Sequence, residues 1–389
     1  MRALTAPVRT PAVDRTAARG RWIWTVTGLV TVAALSVPVS LFITRQTDHG
    51  SGQPVSATPS RTVTVAATVT SLSVASYGSP IQVTTGPVRH VTVRESISYD
   101  QGGGPAPDVT DQVSDGRLTL AASACATSDC SVGFIVTVPS SVTVTANSDG
   151  GPITVADAAG ASLDSDGGNV QASRIDGPVS ISAQGGGITV AHVTSPTGTS
   201  LDSGGGPINA SQIDGPLTVS GQGGSITVNG VSSPTGTNLD SGGGPVNASS
   251  VDGPLTATAE GGSVTVNGLT GDLQADTGGG PFSGESVAAA KASVIAEGGA
   301  VGLTLSTAPA HVFVSTGGGP ATLTFDGAPT TVTVNTEGGS ATLNVPGGPY
   351  SVNADSEGGS ETVDVLTAPG AHRSLAVSTG GGPLEIVPR

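Results

Sequence analysis

The chain has 389 residues, of which 59 are glycine, 3% are aromatic and 11% are charged. A typical soluble domain carries about 25% charged residues, so this composition argues against a large globular core with aromatic packing. The net charge of −15 is unevenly divided: residues 1–21 carry +4, from Arg2, Arg9, Arg15, Arg19 and Arg21 against Asp14, and the remainder carries −19. So acidic a surface repels nucleic acid, which binds through basic contacts to phosphate, and it favours solubility over self-association.

Residues 1–21 read as a short basic cytoplasmic tail, and 22–44 as one transmembrane helix. The 22–44 stretch is uncharged and bounded by Arg21 and Arg45, and a bilayer core of about 30 Å needs about 20 helical residues. Trp22 and Trp24, the only tryptophans, stand where indole rings favour the headgroup interface. The preceding arginines predict a cytoplasmic N-terminus and an extracytoplasmic remainder. A cleaved signal peptide has an apolar region of about 7–15 residues ending at a small-residue site. Here the run is longer and Phe42-Ile43-Thr44-Arg45 lacks such an ending, so an uncleaved anchor is expected. No cysteine lies near the segment for a lipid anchor. Residues 45–60 read as a flexible Gly, Ser and Pro linker, with His49 as a solvated linker residue.

Residues 61–148 read as a β capping region. Apolar alternation recurs at 62–76, 81–85, 88–99, 117–123 and 133–146, rich in β-branched residues, which is strand chemistry. The Gly/Pro/Asp-rich stretch 101–116 is expected to be a loop. Cys125 and Cys130, the only cysteines, most simply form a disulfide outside the membrane. So short a loop would restrain the unfolded chain by about 2 kcal/mol on the chain-entropy model. A metal or redox pair is disfavoured, since there is no C-x-x-C, no second pair and no nearby histidine.

Residues 149–389 carry a repeat. The residue two places after each of thirteen Gly-Gly pairs is Ile153, Val170, Ile188, Ile208, Ile226, Val246, Val264, Phe282, Val301, Ala321, Ala341, Glu361 and Leu384, spaced by 17 to 20 residues until a last step of 23. A second small or apolar residue follows two places on in most copies, the period of a strand with one face inward. The glycines are expected to supply positive φ for tight reversals. Asp176-Gly-Pro, Asp214-Gly-Pro, Asp252-Gly-Pro, Ser195-Pro-Thr-Gly and Ser233-Pro-Thr-Gly mark the opposite corner. Two-strand turns of about 19 residues stacked at about 4.8 Å make an all-β solenoid, in which no turn buries its apolar row alone. An antiparallel meander with Gly-Gly hairpins fits the same local pattern less well than parallel stacking of near-identical copies. The copies alternate: Asp164, Asp202, Asp240 and Asp276 fall only in alternate ones. If each copy is one turn, these carboxylates lie two rungs apart, where repulsion in water is about half the roughly 0.9 kcal/mol felt at one rung. If a turn takes two copies, the shaft is shorter and wider. A calcium ladder of the G-G-x-G-x-D kind is disfavoured, because here Asp precedes the glycines.

The runs Ser71-Leu-Ser-Val-Ala-Ser, Ile81-Gln-Val, Val91-Thr-Val, Asp115-Gly-Arg-Leu-Thr-Leu, the Cys125/Cys130 pair and Val136-Thr-Val-Pro-Ser followed by Gly-Gly-x-Ile turns resemble the bacterial putative adhesin family over roughly residues 61–389. The resemblance implies a β-helical extracytoplasmic domain behind a single membrane anchor, with no established catalytic residues. The turns here are richer in glycine than the acidic Gly-Asp turns of that family.

Catalytic patterns are absent from the sequence. Lyase chemistry needs a base and cations to steady developing charge, yet basic groups in 149–389 are limited to Arg174, Lys291, Arg373 and Arg389, read as scattered over distant turns, with His192, His311 and His372. No Asp-Asp pair suited to glycosidase chemistry stands out, nor any nucleophile elbow, zinc signature or phosphate loop. The histidines are expected to be structural, and Tyr77, Tyr99 and Tyr350 are too dispersed for a stacking platform. The expectation is therefore a non-enzymatic membrane protein without cofactor. Its solenoid would contact a cell-surface or extracellular protein or glycan, with a glycan-binding or polysaccharide-processing β-helix as the alternative.

Overall fold

A computed structural model describes residues 60–99, 106–123 and 130–389. The anchor expectation at 22–44, with Trp22, Trp24, Arg21 and Arg45, lies outside the described residues. So does Cys125, and with it the Cys125–Cys130 pairing. Among the described residues no helix is long and apolar enough to cross a membrane, and every regular element is a strand.

The strands form a parallel β-solenoid of about 12 turns with about 20 residues per turn. One turn can be followed from Val170–Asp176 through the Gly177-Pro178 corner, along Val179–Ala183 and through the glycine turn to Ile188–Thr194. Val170–Asp176 pairs in parallel with Ile188–Thr194, and that strand with Ile208–Asp214, while Val179–Ala183 pairs with Thr199–Ser203. Each copy is therefore one complete turn, and both the meander and the two-copy turn are excluded. At about 4.8 Å per rung the shaft is about 60 Å long.

Register converts the sequence period into a continuous core. Ile153, Val170, Ile188, Ile208, Ile226, Val246 and Val264 are consecutive partners in one column, all fully buried. The next inward column alternates large and small: Val155, Ala172, Val190, Ala210, Val228, Ala248, Val266. Burying one Val or Leu side chain is worth about 1.5–3 kcal/mol, and here burial requires the rungs above and below.

The glycine turns meet the expectation in part: Gly150, Gly318, Gly358 and Gly381 have φ between 92° and 144°. The last glycine of each turn has an ordinary φ; what it lacks is room. A Cβ on Gly224 would lie 2.2 Å from the Gly206 carbonyl oxygen one rung earlier, and the same close approach recurs along the shaft. A buried hydroxyl closes the turn: Ser203, Ser241, Thr277, Thr316, Thr336 and Thr379 each donate to the glycine carbonyl three residues on, at 2.5–2.9 Å. From Gln184 to Glu337 adjacent turns are also unlike. The first glycine of a triple stacks over the backbone of a Gln or Glu: a Cβ on Gly204 would lie 2.4 Å from the Gln184 carbonyl oxygen, and one on Gly278 2.3 Å from that of Glu260.

Both ends depart from sequence order. Ser71–Gly86 is one long strand forming a whole coil. Its first half lies between Arg117–Ala122 and Thr143–Asp149, and its second half between Ser131–Pro139 and Ile153–Ala156. The capping region therefore supplies two coils of the shaft, the later one outermost. Antiparallel strands close this end, with Val109–Ser114 on Arg117–Ala122, Val91–Ser98 on Ser131–Pro139 and Ser60–Val65 on Val91–Ser98. Val109–Ser114 falls in the stretch expected to be a loop. Asp115 and Gly116, both at positive φ, make the tight Asp-Gly hairpin that pairs it. At the far end Ser374–Thr379 lies between Thr331–Thr336 and Ser351–Asp355, and Leu384–Pro388 between Ala341–Val345 and Glu361–Val363. The last coil in sequence is thus the penultimate in space. Glu361, read as part of the inward row, sits exposed on the terminal coil, where no further rung covers it.

Candidate functional site

Outward-facing side chains form ladders at rung spacing. On one edge Asp164, Ser182, Asp202, Ser220, Asp240, Thr258 and Asp276 are consecutive register partners. The four carboxylates are therefore exposed, two rungs apart and separated by hydroxyls, as one copy per turn requires. Among the described residues no three His, Cys, Asp or Glu side chains converge on a point that could hold a metal ion.

A second ladder follows the opposite bend. Arg174, His192, Gln212, Gly230, Ser250, Gly268 and Ser286 occupy equivalent positions of successive strands, all with φ between 53° and 71°. This left-handed residue places two successive side chains outward, so the strand bends and returns Ile175, Val193 and Ile213 to the core. Beside it runs a column of Asp176, Thr194, Asp214, Ser232 and Asp252. The two columns line a groove of about 1060 Å³ along the shaft. Arg174 donates to both carboxylate oxygens of Asp157, at 2.5 and 2.8 Å. That hydrogen bonding holds the Asp157 carboxyl below its usual range and raises the guanidinium.

The basic groups are less scattered than the sequence suggested. Arg174 and His192 stand on neighbouring rungs of this groove, and Lys291 and His311 are register partners on the other sheet. His192, His311 and His372 are all exposed, not core residues. Arg389 forms an ion pair with Asp326. Tyr350 is buried, its hydroxyl donating to the Pro346 carbonyl at 2.8 Å, and burial raises its pKa. Cys130 is buried beside Ser131–Pro139. One ionisable cluster lies in the N-terminal cap. Glu95 is 1% exposed, 3.7 Å from Arg61, which itself donates to Asp111 at 2.8 Å. Burial, opposed by Arg61, pushes the Glu95 carboxyl up.

Two features escaped the sequence reading. The left-handed ladder is marked by glycine only at Gly230 and Gly268. Exposed Phe313 and Ile295, on adjacent rungs of the second sheet, look like core residues in a strand pattern that simply alternates.

No family model matches the chain, and no curated protein sequence matches it. A solved structure of a putative cell adhesion protein from Clostridium sporogenes is 9% identical, covering 54% of this chain and 99% of that chain at a TM-score of 0.26. Likeness at this level assigns neither family nor activity, and the chain is described by its architecture: an all-β parallel solenoid with polar ladders on its outer faces.

Proposed function

We propose that this chain is a non-enzymatic, single-pass envelope protein. Its basic tail and 22–44 helix hold an extracytoplasmic solenoid that touches cell-surface or extracellular protein or glycan, an adhesin-like role. The observation that carries the reading is the repetition of outward polar side chains at rung spacing along both edges of the shaft. Such a surface offers many equivalent weak contacts, which add by multivalency without any single deep site. The charge asymmetry about 22–44 supports the orientation.

Protease shaving of intact cells tests the topology. Loss of 60–389 with protection of the N-terminal tail is expected, and survival of 60–389 until the cells are lysed would overturn it. Turnover of any polysaccharide by the full-length protein would overturn the non-enzymatic reading.

A further inference from the structure

We infer that the groove over the second sheet around Phe313 and Lys291 is a binding subsite for an acidic saccharide, a pyranose ring bearing a carboxylate. The inference deepens the surface-contact reading and rests on it for its biological setting. Among the described residues the large hydrophobic side chains left exposed are Ile135, Ile295, Phe313 and Leu366. Phe313 is the one aromatic ring in that set, at 41% exposure, and Ile295 stands on the adjacent rung.

Lys291, the sole lysine of a chain with net charge −15, projects from the same face as Phe313 and is the register partner of His311. Gln274, Ser293 and Thr333 continue the Phe313 column on either side. Together these side chains line a groove of about 520 Å³. The pattern elsewhere on this sheet is Ser, Thr, Asn and Asp, so an aromatic ring beside a cation is a local exception to the ladder.

The chemistry fits a sugar acid. A pyranose presents an apolar C–H face that covers an aromatic ring, while its rim of hydroxyls needs donors and acceptors at the ring's edge. Gln274, Ser293 and Thr333 supply those at rung spacing, about 4.8 Å. A ring carboxylate is matched by the Lys291 ammonium and a His311 ring N–H. Asp272, which lines the same groove and accepts the Lys291 backbone N–H at 2.9 Å, and Asp276 on the same sheet repel a polyanion, so its carboxylate must be seated on the Lys291 ammonium. They therefore fix where a ligand chain can dock. A sheet face held by paired rungs above and below is preorganised, so little is lost in ordering it.

The test is a calorimetric titration of the full-length protein with oligogalacturonate, with neutral oligogalactoside and polyglutamate as comparisons. Binding of the acidic sugar alone is expected, weakening as salt rises through about 0.1 M. Phe313→Ala and Lys291→Ala should each weaken it about tenfold or more. Phe313→Tyr, which keeps the ring, should retain it, separating ring loss from any loss of fold. Ser200→Ala, on a distant rung of the same sheet, should bind as the parent does. Equal binding of the neutral sugar, equal binding of polyglutamate, full affinity in Phe313→Ala, or no binding at all would each overturn the site. Shaving reports orientation and titration reports ligand, so failure of this inference is distinguishable from failure of the surface-contact reading.

Discussion

The middle of the shaft and its two ends solve the same problem by opposite means. Between residues 149 and 345 each rung follows its predecessor in sequence, and burial comes from repetition. At the ends sequence order is abandoned. A strand from early in the chain is wedged inside a later coil at one end, and the final coil is inserted beneath an earlier one at the other. A repeat can hide its apolar row only against another repeat, so the terminal coils must be unlike the rest. The antiparallel cap at one end and the exposed Glu361 at the other are two such solutions. Charge on an edge also discourages pairing with another sheet.

Four experiments would break or sharpen this contrast. The largest effect is expected from Gly224→Val in the middle of the shaft, where backbone one rung earlier occupies the space of a Cβ. It should cost more than about 4 kcal/mol and abolish the cooperative melt followed by circular dichroism, whereas Val at Gly347, which has open space about it, should fold. Next, Leu239→Ala, in a fully buried mid-shaft position, should cost about 3 kcal/mol in denaturant unfolding. Val352→Ala, on the partly covered terminal coil, should cost about 1 kcal/mol or less. A result of equal costs would show that the ends are packed as tightly as the middle.

Third, removal of residues 374–389 takes away the ladder partners of Ser351–Asp355 and Glu361–Val363. Hydrogen exchange should then show lost protection over 351–363 with the shaft before Thr331 unaffected. The smallest effect belongs to the N-terminal cap. The Glu95 carboxyl has a raised pKa because burial outweighs Arg61, so the folded state binds its proton more tightly than the unfolded chain does. Its contribution is therefore favourable in acid and is lost as pH rises through the elevated folded value. Glu95→Gln should stabilise by on the order of 1 kcal/mol at neutral pH and by nothing near pH 4, in thermal melts across that range.

How legible these features were in the sequence depends on whether a residue type was forced. The inward aliphatic rows were legible because a period of two with fixed spacing leaves one consistent register, and the Asp ladder followed from it. The glycine column was seen, and positive φ accounts for part of it, at Gly150, Gly318, Gly358 and Gly381; the crowding of the last glycine by the neighbouring rung is a property of the stack and leaves no mark on φ. The Ser and Thr that close glycine turns stand three residues before the last glycine in nine of thirteen turns, with Ala183, Gly221, Ala259 and Ala296 in the others, so the signal is present in the sequence but broken in alternate copies. The coil order at the ends was not legible, because near-identical strands are equally good partners locally and only the global arrangement chooses among them. Phe313 was missed because an outward apolar residue in an alternating run differs from an inward one by a single step in register.

The unlike neighbours along the shaft set a unit of inheritance. Between Gln184 and Glu337, glycines such as Gly204 and Gly278 sit against the backbone of Gln184 and Glu260 one rung earlier, so inserting a single copy there would break the alternation. Two copies together, such as 184–221, can be gained or lost without disturbing either cap. A lineage of such proteins would then vary its shaft length in increments of about 10 Å, like a ruler marked only at every second line.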